Sequence, residues 1–258
     1  MASESLPGGG RGVLHGLRAL VTGGGAGIGA AITACLRREG ATVVVVDLDP
    51  ATEPDVVADV STTGGVDTVF AAVRERLGGL DLLVNNVGIA GPTAAVDAMD
   101  PDDFDRCVQV NLGSAFRCTR LAVPMLRESR GSIVNISSTA GIFGYPLRSP
   151  YAAAKWAVIG LTKTWAMELG ADGVRVNAIC PGSVGGPRMD GVIERDAAAR
   201  GVAPAEIRRA YEQQVSMQTF VDATDIGEAI VFLASPAARF VSGQVLSVDG
   251  HTETLNVH

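Results

Sequence analysis

Short apolar runs alternate along this chain with stretches in which apolar residues recur at helical spacing. The first run, residues 18–21, ends in a glycine-rich turn, Thr22-Gly23-Gly24-Gly25-Ala26-Gly27-Ile28-Gly29. An amphipathic helix is expected over 28–39, stopped by Gly40. A β-branched run over 42–46 ends at Asp47 and completes a strand–turn–helix–strand unit. The alternation continues with strands over 55–58, 80–85, 132–136, 174–180 and 244–248. Between them the pattern predicts helices over 66–77, 102–123 (bent near Gly113), 151–169 (closed by Gly170), 205–214 and 224–233. Continuous apolar strands separated by helices imply an α/β fold: a single doubly wound parallel seven-stranded sheet with helices on both faces. Two segments break the rhythm. Asp59 lies only twelve residues after Asp47, with Pro50 and Pro54 in the interval, which is too short for a full crossover helix. Residues 190–216 are long and polar for a simple connection, and a substrate lid is expected over about 186–218.

Composition narrows the class. Of 258 residues, 32 are glycine, about one in eight, against about 7% in an average protein. No Gly-X-Y period runs through the chain, and 47% hydrophobic residues argue against disorder. No apolar run reaches the ~18 residues of a membrane span. The 21 Lys and Arg against 28 Asp and Glu give a net charge of −7. That disfavours nucleic acid and anionic membranes as partners. Cys35, Cys107, Cys118 and Cys180 form no metal-ligand spacing, so no metal site is expected. Free buried thiols suit a cytoplasmic protein. Residues 1–16 read as a flexible N-terminal tail and 17–258 as the folded domain.

A glycine turn between strand and helix lets backbone approach a pyrophosphate, where the helix N-terminus offers free N–H groups. By itself it is weak evidence of a nucleotide site, since such turns also serve as tight connections. Asp47 lies 18 residues after Gly29 at the end of the next strand, where a carboxylate accepts both ribose hydroxyls of an adenosine. It would repel a 2′-phosphate, and no Arg or Lys in 23–29 or just after Asp47 offsets that repulsion. NAD is therefore favoured over NADP.

Tyr151 and Lys155 stand four apart at the start of a helix and share a face. A tyrosine at its ordinary pKa of about 10 is a poor base near neutrality, and a neighbouring ammonium lowers that value. The tuned phenol can exchange a proton with an alcohol. Ser138, 13 residues earlier, follows a strand and can hydrogen-bond a substrate oxygen. Asn111 is an unusual polar residue in mid-helix, whose carbonyl or amide could hold a water linking Lys155 to solvent. Singly, these read as a surface helix pair, a cap and a kink residue. Their order behind a nucleotide turn makes coincidence a poor explanation.

The ordered set resembles the classical branch of the short-chain dehydrogenase/reductase family over residues 17 to 250. Its matching pieces are Thr22-Gly23-x-x-x-Gly27-x-Gly29, Asp59-Val60, Asn85-Asn86-Val87-Gly88, Asn111, Ser138, Tyr151-x-x-x-Lys155 and Pro181-Gly182. The resemblance implies a Rossmann fold, a homotetramer and an NAD-dependent oxidoreductase interconverting a secondary alcohol and a ketone. It implies Tyr151 as acid/base, Lys155 lowering its pKa and binding the nicotinamide ribose, Ser138 polarising the substrate oxygen and Asn111 maintaining a proton relay. Gly23, Gly27, Ile28, Gly29, Asp47 and Leu48 would hold the adenosine and phosphates. Asp59 and Val60 would meet the adenine, Asn86, Val87 and Gly88 the cleft, and Pro181, Gly182 and Val184 the carboxamide. The sequence departs from the family at Val87, where alanine is usual, and at Gly186, where a threonine often bonds the carboxamide and Ser183 could substitute. Asp249-Gly250-His251 replaces Asp-Gly-Gly, and Gly88-Ile89-Ala90-Gly91-Pro92 lacks the run typical of carrier-protein reductases.

Substrate contacts are expected from three places: after Ser138, after Gly88 and from the lid. Tyr145, Arg148, Arg188 and Met189 are the candidates beside Ser138. Arg148 or Arg188 could bind an anionic group or serve a surface or subunit contact. His251 could reach a neighbouring subunit's site or stay solvated. Trp156 and Trp165 could pack across a subunit boundary or in the core. An epimerase or dehydratase on the same scaffold, or a non-catalytic dinucleotide sensor, is the alternative. The first usually carries a longer C-terminal domain, and the second tends to lose the Tyr-Lys pair.

Overall fold

In a computed structural model, residues 12–255 are described. Seven parallel strands form one sheet in the order β3-β2-β1-β4-β5-β6-β7. They are β1 (Arg18–Thr22), β2 (Thr42–Asp47), β3 (Val56–Val57), β4 (Leu82–Asn85), β5 (Ser132–Ile136), β6 (Arg175–Pro181) and β7 (Val245–Val248). The helices are α1 (Gly27–Arg38), α2 (Thr63–Leu77), α3 (Pro101–Val108), α4 (Ser114–Ser129), α5 (Ser149–Leu169), α6 (Pro187–Arg200), α7 (Pro204–Gln213) and α8 (Ala223–Ala234). This is the doubly wound sheet expected from the sequence.

The central strands read as mainly apolar runs because each face is covered. Leu20, Val44, Val46, Leu83, Ile133 and Val176 pack with Phe70 of α2, Leu126 of α4 and Trp165 of α5. The alternate residues Ala19, Val21, Val43, Val45, Val84, Val134 and Ile179 pack with Ile32 and Leu36 of α1 and Ile226 and Ile230 of α8. The period of two thus divides one hydrophobic run between two cores. Trp165 belongs to the first core, whereas Trp156 is about half exposed. All four cysteines are buried and unpaired.

Strand order reverses between β1 and β4, so the connections leaving their carboxyl ends run in opposite directions and a crevice opens between them. Asn86 stitches its rim, its amide donating to the carbonyls of Thr22 (3.1 Å) and Gly23 (2.9 Å). From β2 to β3 the chain uses only a 3₁₀ turn, Pro50–Thr52, as the short spacing required.

The structure departs from the sequence expectation in three places. The tail does not extend to residue 16: Leu14 is buried, and its N–H donates to the Glu39 carbonyl at 3.0 Å. Residues 1–11 of that tail lie outside the described residues. The helix expected over 102–123 is three pieces, with a π-helical turn at Gln109–Gly113 between α3 and α4, and α4 runs past Pro124 to Ser129. Finally, the lid segment contains α6 as well as the predicted helix α7. The four buried residues of α6, Val192, Ile193, Asp196 and Ala197, include a carboxylate, so the apolar stripe of that helix is weak in the sequence.

Candidate active site

The glycine turn connects β1 to α1 at the crevice. No side chain caps the N-terminus of α1 at Ala26, which leaves its first N–H groups for a ligand. Gly27 has φ 51° with open space on its Cβ side, a cradle that any side chain would fill. A Cβ on Gly29 would stand 1.9 Å from the Gly23 carbonyl oxygen, so only glycine allows the turn to close on the helix. Asp47 caps the arrangement: its carboxylate accepts from the Gly25 N–H at 3.0 Å and the Asp49 N–H at 3.1 Å. Each oxygen keeps acceptor capacity. Leu48 beside it is exposed. The Asp59 carboxylate accepts from the Ser61 N–H at 2.9 Å, and Val60 is buried beneath it. The turn, the unblocked helix end and the strand-end carboxylate fit a dinucleotide.

At the next strands' carboxyl ends, the reactive side chains come together on α5 and its neighbours. Lys155 is buried and donates to the Ile136 carbonyl at 2.9 Å, with its ammonium 5.6 Å from the centre of the Tyr151 ring. Burial pushes the Tyr151 phenol up, but Lys155, Arg188, the Ser138 hydroxyl and Arg148 together hold it below its ordinary value. Burial also lowers Lys155, and the facing phenol only partly restores it. Ser138 lies two residues past the end of β5; its hydroxyl accepts from the Ala140 N–H at 3.1 Å, which fixes its direction.

Asn111 sits in the π-helical turn. Its amide donates to the carbonyls of Ile89 (3.0 Å) and Cys107 (2.9 Å). Its carbonyl oxygen is buried without a hydrogen-bond partner among the described residues. Of the two roles open to this side chain, the amide is spent on backbone and the carbonyl remains. A Cβ on Gly88 would stand 2.4 Å from that oxygen and 3.3 Å from Lys155 Nζ, so Asn111 and Lys155 face each other across Gly88. Gly88→Ala should therefore push the Asn111 carbonyl aside, lowering kcat by about tenfold with little change in dinucleotide affinity. Steady-state kinetics with fluorescence titration of the cofactor checks this; unchanged kcat would remove Asn111 from the relay.

Two candidate substrate residues stand elsewhere than expected. Arg148 is neither at the cavity surface nor at a subunit contact: it is 2% exposed, 3.8 Å from Asp196 and donating to Thr93 Oγ1 at 2.6 Å. Its charge is buried because the Asp196 carboxylate of α6 covers it. Tyr145 spends its hydroxyl on Tyr211, 2.7 Å away on α7. Arg188, in the first turn of α6, is exposed and acts electrostatically on both Tyr151 and Lys155. Met189 packs against the apolar cluster of Ile193, Ala197, Ile207 and Tyr211 between α6 and α7. Val184 bridges to Val221, and the Ser183 carbonyl accepts from the Val221 N–H at 3.0 Å, so residues after Pro181 and Gly182 are tied to the segment just before α8. His251 reaches back to the residues after α7, with Nδ1 2.7 Å from Ser216 Oγ.

Sequence reasoning missed a buried polar ladder under the site. Asn85 Nδ2 donates to Thr119 Oγ1 (3.0 Å) and Asn135 Oδ1 (2.8 Å), and Asn135 Nδ2 donates to Thr162 Oγ1 (2.9 Å). It pins β4 and β5 to α4 and α5, the helix of Tyr151 and Lys155. Its signal was an asparagine inside each of two otherwise apolar strands, at Asn85 and Asn135.

The fold and site define an oxidoreductase of CH–OH groups on a dinucleotide-binding scaffold. A family model described as enoyl-(acyl carrier protein) reductase matches residues 23–251. The chain is 34% identical to 3-oxoacyl-acyl-carrier-protein reductase FabG of Thermotoga maritima, over 92% of this chain and 98% of that one. It is 36% identical to D-beta-hydroxybutyrate dehydrogenase of Cupriavidus necator, over 92% and 98%. Among solved structures, NAD+-bound xylitol dehydrogenase superposes with a TM-score of 0.87 at 28% identity, covering 92% of this chain and 99% of that one. The protein belongs to the short-chain dehydrogenase/reductase family.

Proposed function

We propose that the protein is an NAD-dependent dehydrogenase that oxidises a secondary alcohol to a ketone, with Tyr151 as the acid/base. The observation that carries this reading is the Tyr151 phenol, held below its ordinary pKa beside a buried Lys155. Bound in the crevice, the nicotinamide supplies the acceptor for hydride. The chain does the rest. Ser138 orients the alcohol oxygen, and Tyr151 takes its proton. Lys155 stabilises the phenolate that accepts this proton, and a water held by the Asn111 carbonyl carries the proton outward afterwards. Asp47 supports NAD over NADP, as does the crystal structure of NAD+-bound xylitol dehydrogenase among the neighbours.

NADH formation from a panel of secondary alcohols, polyols, hydroxy acids and cyclic diols, with Tyr151→Phe as control, tests the proposal. Tight NAD binding without turnover of any of them would favour a dinucleotide sensor. Rearrangement without net NADH would favour an epimerase.

With Arg148 covered by Asp196, Arg188 is the remaining candidate for an anionic substrate group; D-beta-hydroxybutyrate dehydrogenase among the relatives is named for a hydroxy acid. Arg188→Ala should raise KM for hydroxy acids about tenfold or more while leaving neutral alcohols nearly unchanged. Equal effects on both would remove the anion from the reading. Phe116 of α4 and Trp156 of α5, each about half exposed, support the expected homotetramer. Among the described residues no helix is long and apolar enough to cross a membrane, and no group of ligating side chains could hold a metal ion.

A further inference from the structure

All three segments expected to contact substrate meet at one buried guanidinium. Arg148 lies at the end of the loop after Ser138 and donates to Thr93 in the loop after Gly88. Its ion pair partner, Asp196, comes from α6 of the lid. The same three segments are tied again around it. The Ala94 N–H donates to the Leu147 carbonyl at 3.0 Å. Tyr211 of α7 donates its hydroxyl to Asp196 and therefore accepts from Tyr145, 2.7 Å away. Arg148 also stands over the Tyr145 ring, its guanidinium carbon 5.4 Å from the ring centre. Leu147 holds φ 63°, a left-handed conformation costly for a residue with a Cβ, and it turns the following arginine inward.

Such burial is expensive unless the charge is paired. Arg148, Asp196 and Tyr211 are each 3% exposed or less. A buried guanidinium that lost its carboxylate would be strongly destabilised. The lid therefore cannot leave without uncovering a charge, and that charge lies beside the phenol.

We propose that Arg148, Asp196 and Tyr211 are positioning residues, a buried latch by which the seated lid holds the two substrate loops around Tyr151 and sets how much of the Arg148 charge reaches the phenol. The proposal rests on the reading of Tyr151 as the acid/base for its consequence in catalysis. The ionisable groups facing Tyr151 are Lys155 on its own helix, Arg188 of α6, and Arg148 and Tyr145 of the loop before it; Cys107 faces Arg148 and Lys155, and Cys180 faces Lys155. Among the described residues, Arg148 alone of the cations near the phenol has a carboxylate of the lid against it.

The signs follow from the charges. Asp196→Asn leaves the Arg148 charge uncompensated, so the phenol should titrate about half a pH unit lower or more. Arg148→Met removes a cation and should move it about as far in the opposite direction. Tyr211→Phe breaks the lid's hydrogen bonds without changing charge. It should leave the titration in place but raise amide exchange in residues 186–218 and raise KM about tenfold. If Asp196→Asn fails to fold, Arg148→Met with Asp196→Asn removes both charges at once and should fold and titrate below Arg148→Met alone, close to the unaltered protein.

The phenol is read by ultraviolet difference titration of each variant against the same variant carrying Tyr151→Phe, and the lid by hydrogen exchange. Opposite shifts for Asp196→Asn and Arg148→Met, with faster lid exchange in Tyr211→Phe, support the latch. Shifts of the same sign, no shift, or unchanged lid exchange overturn it. Because neither readout uses turnover, a latch that behaves as stated in a protein that oxidises no alcohol would fail the proposed function and not the latch.

Discussion

Tyr151→Phe should lower kcat/KM for alcohol oxidation by about 10³-fold or more while leaving NAD affinity within a few fold. The substitution removes one oxygen and keeps the ring, so packing and the crevice are retained. What it deletes is the group proposed to receive the alcohol proton. The pH dependence follows from the phenolate being the working form in oxidation. The rate should rise with pH through the Tyr151 pKa, which lies below the ordinary value of about 10, and then level off. In the reductive direction the protonated phenol works, so the rate should fall through the same pKa. Lys155→Met leaves burial as the dominant influence on the phenol, and the oxidative limb should then move to higher pH. Stopped-flow kinetics over a pH series in both directions, with cofactor affinity by fluorescence, reads all of this. An oxidative profile unmoved in Lys155→Met would show that another group carries the proton.

The second large effect is a change of cofactor. Asp47→Ser with Leu48→Arg should lower kcat/KM with NAD by about 10²-fold and raise that with NADP by a comparable factor. A charge-assisted hydrogen bond to a buried ligand hydroxyl contributes about 1.5–3 kcal/mol, which is roughly one to two powers of ten. Asp47 sits where it can accept from the ribose, with each oxygen already bonded to one backbone N–H but holding a second lone pair. Leu48 is exposed next to it, so an arginine there has room to meet a 2′-phosphate. Leu48→Arg alone should gain less, because the Asp47 carboxylate still repels the phosphate. If NADP already outperforms NAD in the unaltered protein, the assignment of Asp47 is wrong. Thermal melting of each variant separates loss of the Gly25 hydrogen bond from loss of cofactor contact.

Much of the dinucleotide crevice is legible in the chain itself. The Gly23–Gly29 spacing, the run ending at Asp47 and the absence of a helix before β3 are local properties, and β1, α1 and β2 form where they indicate. The pairing of Tyr151 with Lys155 is legible for the same reason, since residues four apart on a helix share a face whatever surrounds them. The lid is legible only as a length. Its first helix carries Asp196 and Gly191 among its residues, and a stripe that buries a carboxylate does not look apolar.

The sequence by itself determined the alternation of strand and helix, the glycine turn and the order of the reactive residues, because each depends on backbone geometry and the nearest neighbours along the chain. Only the tertiary structure decided what the charged and amide groups do. It spends the Asn111 amide on two backbone carbonyls and leaves its oxygen facing Lys155 across Gly88. It buries Arg148 against a carboxylate 48 residues further on and leaves Arg188 in solvent. An arginine in a sequence carries the same charge in either setting. Whether that charge meets a substrate or a partner is set by desolvation and by which distant side chain arrives beside it, and no local pattern records that meeting.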